Sequence, residues 1–467
     1  MISGDGERYL PWVGPAGRRQ ATSEEGQRRG HRLAQIASVL TRHGLGAILN
    51  VLGLEDRRAT RWLSTRTDAQ QRTPPEHLRL ALEELGTTFV KLGQILSTRG
   101  DLLPPDYQAE LAKLQDSGPP EPITAIRAVI AGELGAPLES FFASFDRRPL
   151  AAASIGQAHA AVTRDGRDVV VKVRRPGVVE GVERDLALLE GLSGRVARRW
   201  KLARQYDVVA LTQEFADTLR AELDYAREAD NAQRFAENFA GDPSVCIPGV
   251  LADLSTSRVL TLERVHGVKV TDAAGLDAAQ LDRASLAQRA ANIEMRMIFE
   301  HGFFHADPHP GNFFIEAGGR IGLIDFGMVG SVDEETRLVL VEVMGALAAG
   351  DGDRLVDSFL RLGVSGGVVD RTRLRGDLLA LTQTYLDRPL GDVSVNALLA
   401  DVLGLVRRHR LLLPPNLALL VKTLGMSEGV GAQLDPSFRI TSVLLPFAAR
   451  VLAERGEPGG QRGETAG

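Results

Sequence analysis

The stretch "FFHADPHPGNFF", residues 303 to 314, sets the hardest constraint on what this chain can fold into. Two His, one Asp, one Asn, two Pro and a Gly stand between pairs of Phe. The Phe pairs ask for apolar walls, while the polar tips must converge on one point. Pro308 and Pro310 exclude a helix through the stretch, so His305 and His309 do not form a helical metal pair. His305 is expected to bond backbone within the loop. After "FFIE…RIGLI", which reads as a hairpin-like strand pair, comes Asp325-Phe326-Gly327.

That spacing is the one carried by protein-kinase catalytic loops, where an Asn follows the Asp by five residues and an Asp-Phe-Gly comes later. In such a fold Asp307 faces the substrate or a water, and Asn312 and Asp325 hold metal ions. The chemistry needs these types. ATP phosphates repel an attacking oxygen unless divalent cations neutralise them, and Mg2+ prefers hard oxygen ligands. Either Asp alone would read as an ordinary turn residue; the ordered pair carries the inference.

Upstream elements come in the matching order. "DVVVKVRRPG" reads as a strand whose Lys172 reaches the α- and β-phosphates, and a buried Lys needs a carboxylate partner to stay charged. Just before it, Ala152, Ala153, Ser154, Ile155, Gly156 and Gln157 occupy the place of a phosphate-binding loop. Such loops use Gly to approach phosphate closely, and Ala removes part of that freedom. An ordinary protein kinase is therefore disfavoured. "SRVLTLERVHGVKV" has the position of a hinge between lobes, with the backbone of Glu263 and Val265 placed to bond adenine; an edge strand is the plain alternative. No A-P-E motif follows "DFGMVGSVDEETR".

The 467 residues are enough for two or three domains, and 44% hydrophobic with 25% charged residues allows a sizeable core. A net charge of −5 argues against a nucleic-acid partner. The single cysteine, Cys246, forms no intramolecular disulfide, fits a reducing compartment and is expected to act as a small buried apolar residue. No apolar run reaches the roughly 18 residues of a membrane span. A cytoplasmic chain is expected, with peripheral membrane attachment left open through a basic amphipathic segment after residue 30 or through the C-terminal stretch from Ile440; packing of the early segment on the body is the alternative.

Residues 1–75 read as a flexible and amphipathic region, 76–149 as helices, 150–267 as strand-rich, 268–440 as helical and 441–467 as a polar tail. Within these, "SGPPEP" at 117–122 reads as a linker and 208–239 as one long helix. Strands before helices predict an α+β chain with two lobes. Lys91 and Gln94 lie three apart on a helix and share a face. Taken alone, that face is solvated. Glu222 and Asp224, two apart on a helix, point in different directions and call for separate partners.

Four features together resemble the UbiB family of atypical protein-kinase-like proteins linked to coenzyme Q biosynthesis. They are the KxGQ signature Lys91-Leu92-Gly93-Gln94, the Ala-rich loop "AAASIGQAH", the ExD motif Glu222-Leu223-Asp224 and "HADPHPGN…IDFG". The resemblance implies a two-lobed kinase-like fold with an N-terminal helical extension carrying KxGQ, and nucleotide (ATP or ADP) with Mg2+ as ligands. It implies that the KxGQ helix covers the protein-substrate site, favouring ATP hydrolysis or a small-molecule role, with membrane-bound isoprenoid lipid intermediates as partners. It makes Lys91 and Gln94 catalytic elements and Glu222 the acid pairing with Lys172 or Lys91, and one carboxylate shared by both lysines would act as a switch. A small-molecule phosphotransferase of the aminoglycoside or choline kinase kind, and a non-catalytic nucleotide-binding scaffold, are the rival functions. Oligomeric state is not legible.

Overall fold

The computed structural model describes residues 15–46, 72–114, 118–199, 207–362, 369–386 and 393–456. It divides into two compact units, residues 1–90 with 179–216 and residues 91–178 with 217–467.

Alternation along one strand sets the layers of the larger unit's first sheet. In β4 (Asp168–Arg174), Val169, Val171 and Val173 are fully buried, and Lys172 falls on the opposite face, as a two-residue period requires. β3 (Gly156–Thr163) and β6 (Val259–Glu263) flank β4, β1 (Phe142–Phe145) lies outside β3, and β2 (Ala151–Ala152) closes a hairpin on β3. All these pairings are antiparallel. The valine face packs on α5 (Ile123–Leu134) through Ile126, Val129 and Ile130, a helical stripe. The other face meets α8 (Tyr225–Asn238), with Tyr225 and Ala229 against Leu260 and Leu262.

The four residues 264–267 after β6 lead the chain into a second sheet through β7 (Val268–Lys269). Gly267 is needed there: a Cβ would stand 2.5 Å from the Ile315 carbonyl oxygen. This sheet runs in the order β5 (Val245–Cys246), β10 (Ile321–Leu323), β9 (Phe313–Ile315), β7. The predicted strand pair is β9–β10, antiparallel, with Leu323 opposite Phe313. Cys246 is buried in β5. A small ribbon pairs β8 (Phe303–His305) with β11 (Val329–Ser331).

Helices fill the rest of this lobe: α9 (Ala273–Ala278), α10 (Arg283–Met295) with a π turn Arg296–Glu300, α11 (Glu334–Ala349), α12 (Gly352–Arg361), α13 (Arg371–Leu386), α14 (Val395–Arg408), α15 (Pro415–Leu434) and α16 (Thr441–Gly456). Their shared core includes Met295, Ile298, Phe304, Phe326, Val406 and Ile440. The architecture is the expected two-lobed α+β kinase-like fold. α3 (Thr87–Thr98) carries the KxGQ residues, and α4 (Pro105–Leu111) follows it.

In the smaller unit, α1 (Pro15–Arg42), α2 (Pro74–Leu85) and α6 (Val178–Arg199) meet around Arg32. Its guanidinium binds both oxygens of Asp185 at 2.7 Å and the Leu85 carbonyl at 2.8 Å. Thr73 and Glu76 form the capping box that starts α2.

Three expectations are corrected. Residues 15–30, read as flexible, form the first half of α1, while the amphipathic residues after 30 continue it and bury Ile36, Val39 and Leu40, as the packing alternative expects. The basic residues 55–67 lie outside the described residues. The long helix breaks at Leu223–Asp224, between α7 (Val208–Glu222) and α8, because the Asp224 side chain accepts from the Ala226 N–H as an N-cap. Residues 441–456, read as part of a polar tail, form α16, which places Val443 and Phe447 in the lobe core.

Candidate active site

Lys172 sits at the centre of the site. Its ammonium pairs with Glu228 of α8 and stands 3.5 Å from Asp325 Oδ2. Burial alone would lower the lysine's pKa, but Asp325 and Glu228 outweigh it and raise the value, so Lys172 stays charged. Burial pushes the Glu228 carboxyl up, against the pull of Lys172. For Asp325, burial pushes up, yet the Lys172 charge, a hydrogen bond from the Gly327 N–H, His305 and Lys91 hold the carboxyl at about 2.

Glu228 was not singled out in the sequence. Its signal is the face it shares on α8 with Asn231 and Phe235, at spacings of three and four. All three hold the Asp-Phe-Gly turn. The Glu228 carboxylate accepts from the Phe326 N–H at 3.3 Å, and the Asn231 amide donates to the Phe326 carbonyl at 2.9 Å. The Phe326 ring is fully buried, 5.4 Å from Phe235 and 6.1 Å from His305 between ring centres.

His305, Asp307 and Asn312 are tied together within the 303–314 loop. His305 is buried, and burial lowers its pKa against the pull of Asp325 and Asp307; its Nδ1 accepts from the Asp307 N–H at 3.2 Å. Asn312 donates its amide to the Asp307 carbonyl at 3.1 Å. The Asn312 carbonyl accepts from the Ile324 N–H at 3.3 Å, continuing the β9–β10 ladder and bringing Asn312 beside the residue that precedes Asp325. On the far side of Asp307, 3.4 Å from its Oδ1, stands the ammonium of Lys422 from α15. Sequence reasoning missed Lys422, for nothing local to residue 422 points to a loop more than a hundred residues earlier.

The Ala-rich loop is a tight turn between β2 and β3, closed by the Ala153 N–H on the Gly156 carbonyl at 2.8 Å. Gly156 is required, because a Cβ there would collide with the Tyr225 hydroxyl and lie 2.8 Å from the Val173 carbonyl. Arg175 clips the loop to the segment before α5. It donates to the carbonyls of Ala153 and Pro119 and to Glu121, at 2.6–2.8 Å. The supposed linker is thus fastened to the loop. Arg175 N–H also donates to the Ile155 carbonyl. Gln157 is buried and bonds the Glu121 N–H and His159, so its side chain supports the loop. At the hinge, the Glu263 N–H donates to the Gly249 carbonyl at 2.8 Å, and the Val265 side chain packs against Gly322 of β10.

Lys91 of α3 pairs with Glu222, the last residue of α7. The two lysines therefore have separate acids, Glu222 for Lys91 and Glu228 for Lys172, and the expected shared carboxylate is replaced by two. The cause is the break between α7 and α8, fixed by Arg174 of β4 donating to the Leu223 carbonyl. Gln94 donates to the Leu114 carbonyl at 3.1 Å, tying α3 to the end of the α4 segment.

Below the loop lies a cavity of about 30 Å3, lined by Glu294, Met297, His305, Phe313 and Ser427 among others. Burial pushes the Glu294 carboxyl up to about 8, opposed by the Ser427 hydroxyl. Glu294 Oε1 and His305 Nε2 are buried without a protein hydrogen-bond partner. No described helix is long and apolar enough to cross a membrane.

A strand lysine answered by a helix carboxylate, with an Asp-Phe-Gly turn locked beneath both, defines a protein-kinase-like protein. Residues 113–359 match the ABC1 atypical kinase-like domain and residues 378–439 the UbiB helical domain. A probable protein kinase UbiB of Xanthomonas campestris pv. campestris (strain B100) is 37% identical over 446 residues, covering 91% of this chain and 79% of that protein. A probable protein kinase UbiB of Marinobacter nauticus is 36% identical, covering 82% and 71%. Among solved structures, the complex of Rv3197 with erythromycin from Mycobacterium tuberculosis superposes with a TM-score of 0.54 at 27% identity, over 78% of this chain and 92% of that one. The chain belongs to the UbiB family of ABC1 atypical kinase-like proteins.

Proposed function

We propose that this chain is an ATP- or ADP-binding, Mg2+-dependent atypical kinase or ATPase that supports isoprenoid-quinone or lipid metabolism. The observation that carries the nucleotide chemistry is Lys172 held between Glu228 and Asp325, with Asn312 one ladder step away. Asn312 donates its N–H to Asp307, which leaves its amide oxygen for a cation. Asp325 is a charged carboxylate, and its side chain is 46% exposed. These are hard oxygen donors that fit Mg2+, which when bound neutralises phosphate oxygens.

Lys172 binds the α- and β-phosphates, beneath the Ala-rich turn at 152–157. The Glu263 carbonyl and the Val265 N–H meet the adenine edge; the Glu263 N–H is already donated to Gly249. Asp307 receives the proton of an attacking water or hydroxyl. The Lys91–Glu222 pair belongs to the same centre, since the Lys91 charge reaches Asp325. A KxGQ helix anchored there supports hydrolysis or a small acceptor over a protein substrate. The pathway rests on family membership, and contact with a membrane surface carrying isoprenoid lipid intermediates follows from that role.

Phosphate release from ATP, measured with and without vesicles carrying isoprenoid phenols, tests the proposal. Turnover is expected, rising with the phenols, and Asp325→Asn is expected to lower it about 100-fold or more because a ligand charge is lost. A wild-type chain that binds neither Mg·ATP nor Mg·ADP would overturn the reading.

A further inference from the structure

The catalytic loop holds no cation of its own. From Phe303 to Phe314 the sequence has neither Lys nor Arg. Yet a phosphoryl group in transfer spreads negative charge over its equatorial oxygens, and positioned cations are what stabilise it. Two nearby cations are matched by carboxylates, Lys172 by Glu228 and Asp325, Lys91 by Glu222.

Lys422 is different. It comes from α15, inside the stretch that matches the UbiB helical domain and outside the kinase-like match. Its Nζ stands 3.4 Å from Asp307 Oδ1 and 3.6 Å from the Met328 sulfur. A thioether offers no charge, and 3.4 Å is long for a charge-assisted hydrogen bond. The Lys422 side chain is 18% exposed and that of Asp307 41%, so the pair stays open to a ligand. The Asp307 carbonyl holds Asn312, and the Asn312 carbonyl meets Ile324 beside Asp325. A phosphate chain held at Asn312 and Asp325 therefore ends next to Asp307, within reach of Lys422.

We propose that Lys422 is a catalytic residue, a cation that the helical domain delivers to the terminal phosphate of the bound nucleotide. The proposal rests on the nucleotide reading above. In the step, an oxygen of water or of an acceptor hydroxyl forms a bond to the terminal phosphorus. The bond from that phosphorus to the bridging oxygen breaks, its electron pair leaves with ADP, and the nucleophile's proton passes to Asp307. Lys422 transfers no proton. Its ammonium shifts its hydrogen bonds from Asp307 to the phosphoryl oxygens, which also frees the Asp307 carboxylate to act as the base.

ADP lacks the terminal phosphate, so it separates this role from a merely structural ion pair. Binding of Mg·ATP and Mg·ADP and single-turnover phosphate release are measured on the full chain as wild type, Lys422→Gln and Lys422→Arg, with thermal unfolding of each. Lys422→Gln is expected to bind ADP as the wild type does and ATP about tenfold more weakly, and to release phosphate about 100-fold more slowly. Lys422→Arg should recover most of both. An unchanged ATP-to-ADP affinity ratio in Lys422→Gln overturns the proposal. So does a loss of ADP binding together with a lower melting temperature, which assigns Lys422 to the fold. Failure of the wild type to bind either nucleotide overturns the underlying reading instead.

Discussion

Asp325 and Glu294 lie in the same lobe, and burial pushes both carboxyls upward, yet they end at opposite extremes. Asp325 is held at about 2 because Lys172, the Gly327 N–H and Lys91 oppose the burial. Glu294 climbs to about 8 with only the Ser427 hydroxyl against it. The difference is the presence of cations, helped by the water that reaches the half-exposed Asp325. The metal role proposed for Asp325 needs a carboxylate that is charged at neutral pH, and lysines from β4 and α3 keep it so. Glu294, facing a small cavity, has no such supply.

The comparison breaks most sharply at Lys172. Lys172→Met leaves Glu228 and Asp325 facing each other without the cation between them. Phosphate release is expected to fall at least about 100-fold, and unfolding free energy by about 3–5 kcal/mol, as for a broken buried pair. Urea unfolding and a phosphate assay check this; unchanged stability would show that Lys172 is not what holds the two acids.

Glu294 tests the other arm. Its folded pKa of about 8 lies above the unfolded 4.5, so the native state binds the extra proton. Its contribution is fully present below pH 4.5 and is lost as pH rises through about 8. Glu294→Gln should therefore match the wild type near pH 4.5 and exceed it by on the order of 5 kcal/mol above pH 8. Denaturant midpoints across that range read the gap directly, and parallel curves would refute it.

Separate acids for the two lysines predict unequal mutants. Glu228→Gln disturbs Lys172 and the Phe326 N–H together, whereas Glu222→Gln acts first on its pair with Lys91. A change of about tenfold in nucleotide affinity is expected for Glu222→Gln, roughly one hydrogen-bonded charge pair, against a larger loss for Glu228→Gln. Equal effects in a binding titration would revive the shared carboxylate. The smallest effect belongs to Asn231→Ala, about 1 kcal/mol in unfolding free energy, since one hydrogen bond to the Phe326 carbonyl goes.

The sequence alone made legible whatever depends on short separations. The five-residue step from Asp307 to Asn312 and the strand pair leading to Asp325 determine their own geometry, because a ladder register leaves one choice of neighbour. Lys172 was legible from the period of β4. Of the lysines' partners, Glu222 was named through the family resemblance and Glu228 was not, since Glu228, like Tyr225 and Lys422, reaches the site by packing between elements far apart in the chain. The helix break was hidden for another reason. Leu223-Asp224 interrupts no apolar stripe, and only the Asp224 cap marks it. Composition misjudged only the first half of α1, where Gly and Arg suggested a chain with little to bury; the helical spacing after residue 30 did mark the turns that bury Ile36, Val39 and Leu40.

Phe326 is gripped through both its N–H and its carbonyl, with its ring sealed among Phe235 and His305. Swinging that ring outward would strip two hydrogen bonds from α8 and open a void where aromatic rings now touch. Inhibitors that select a flipped-out phenylalanine would thus find no ready back pocket here.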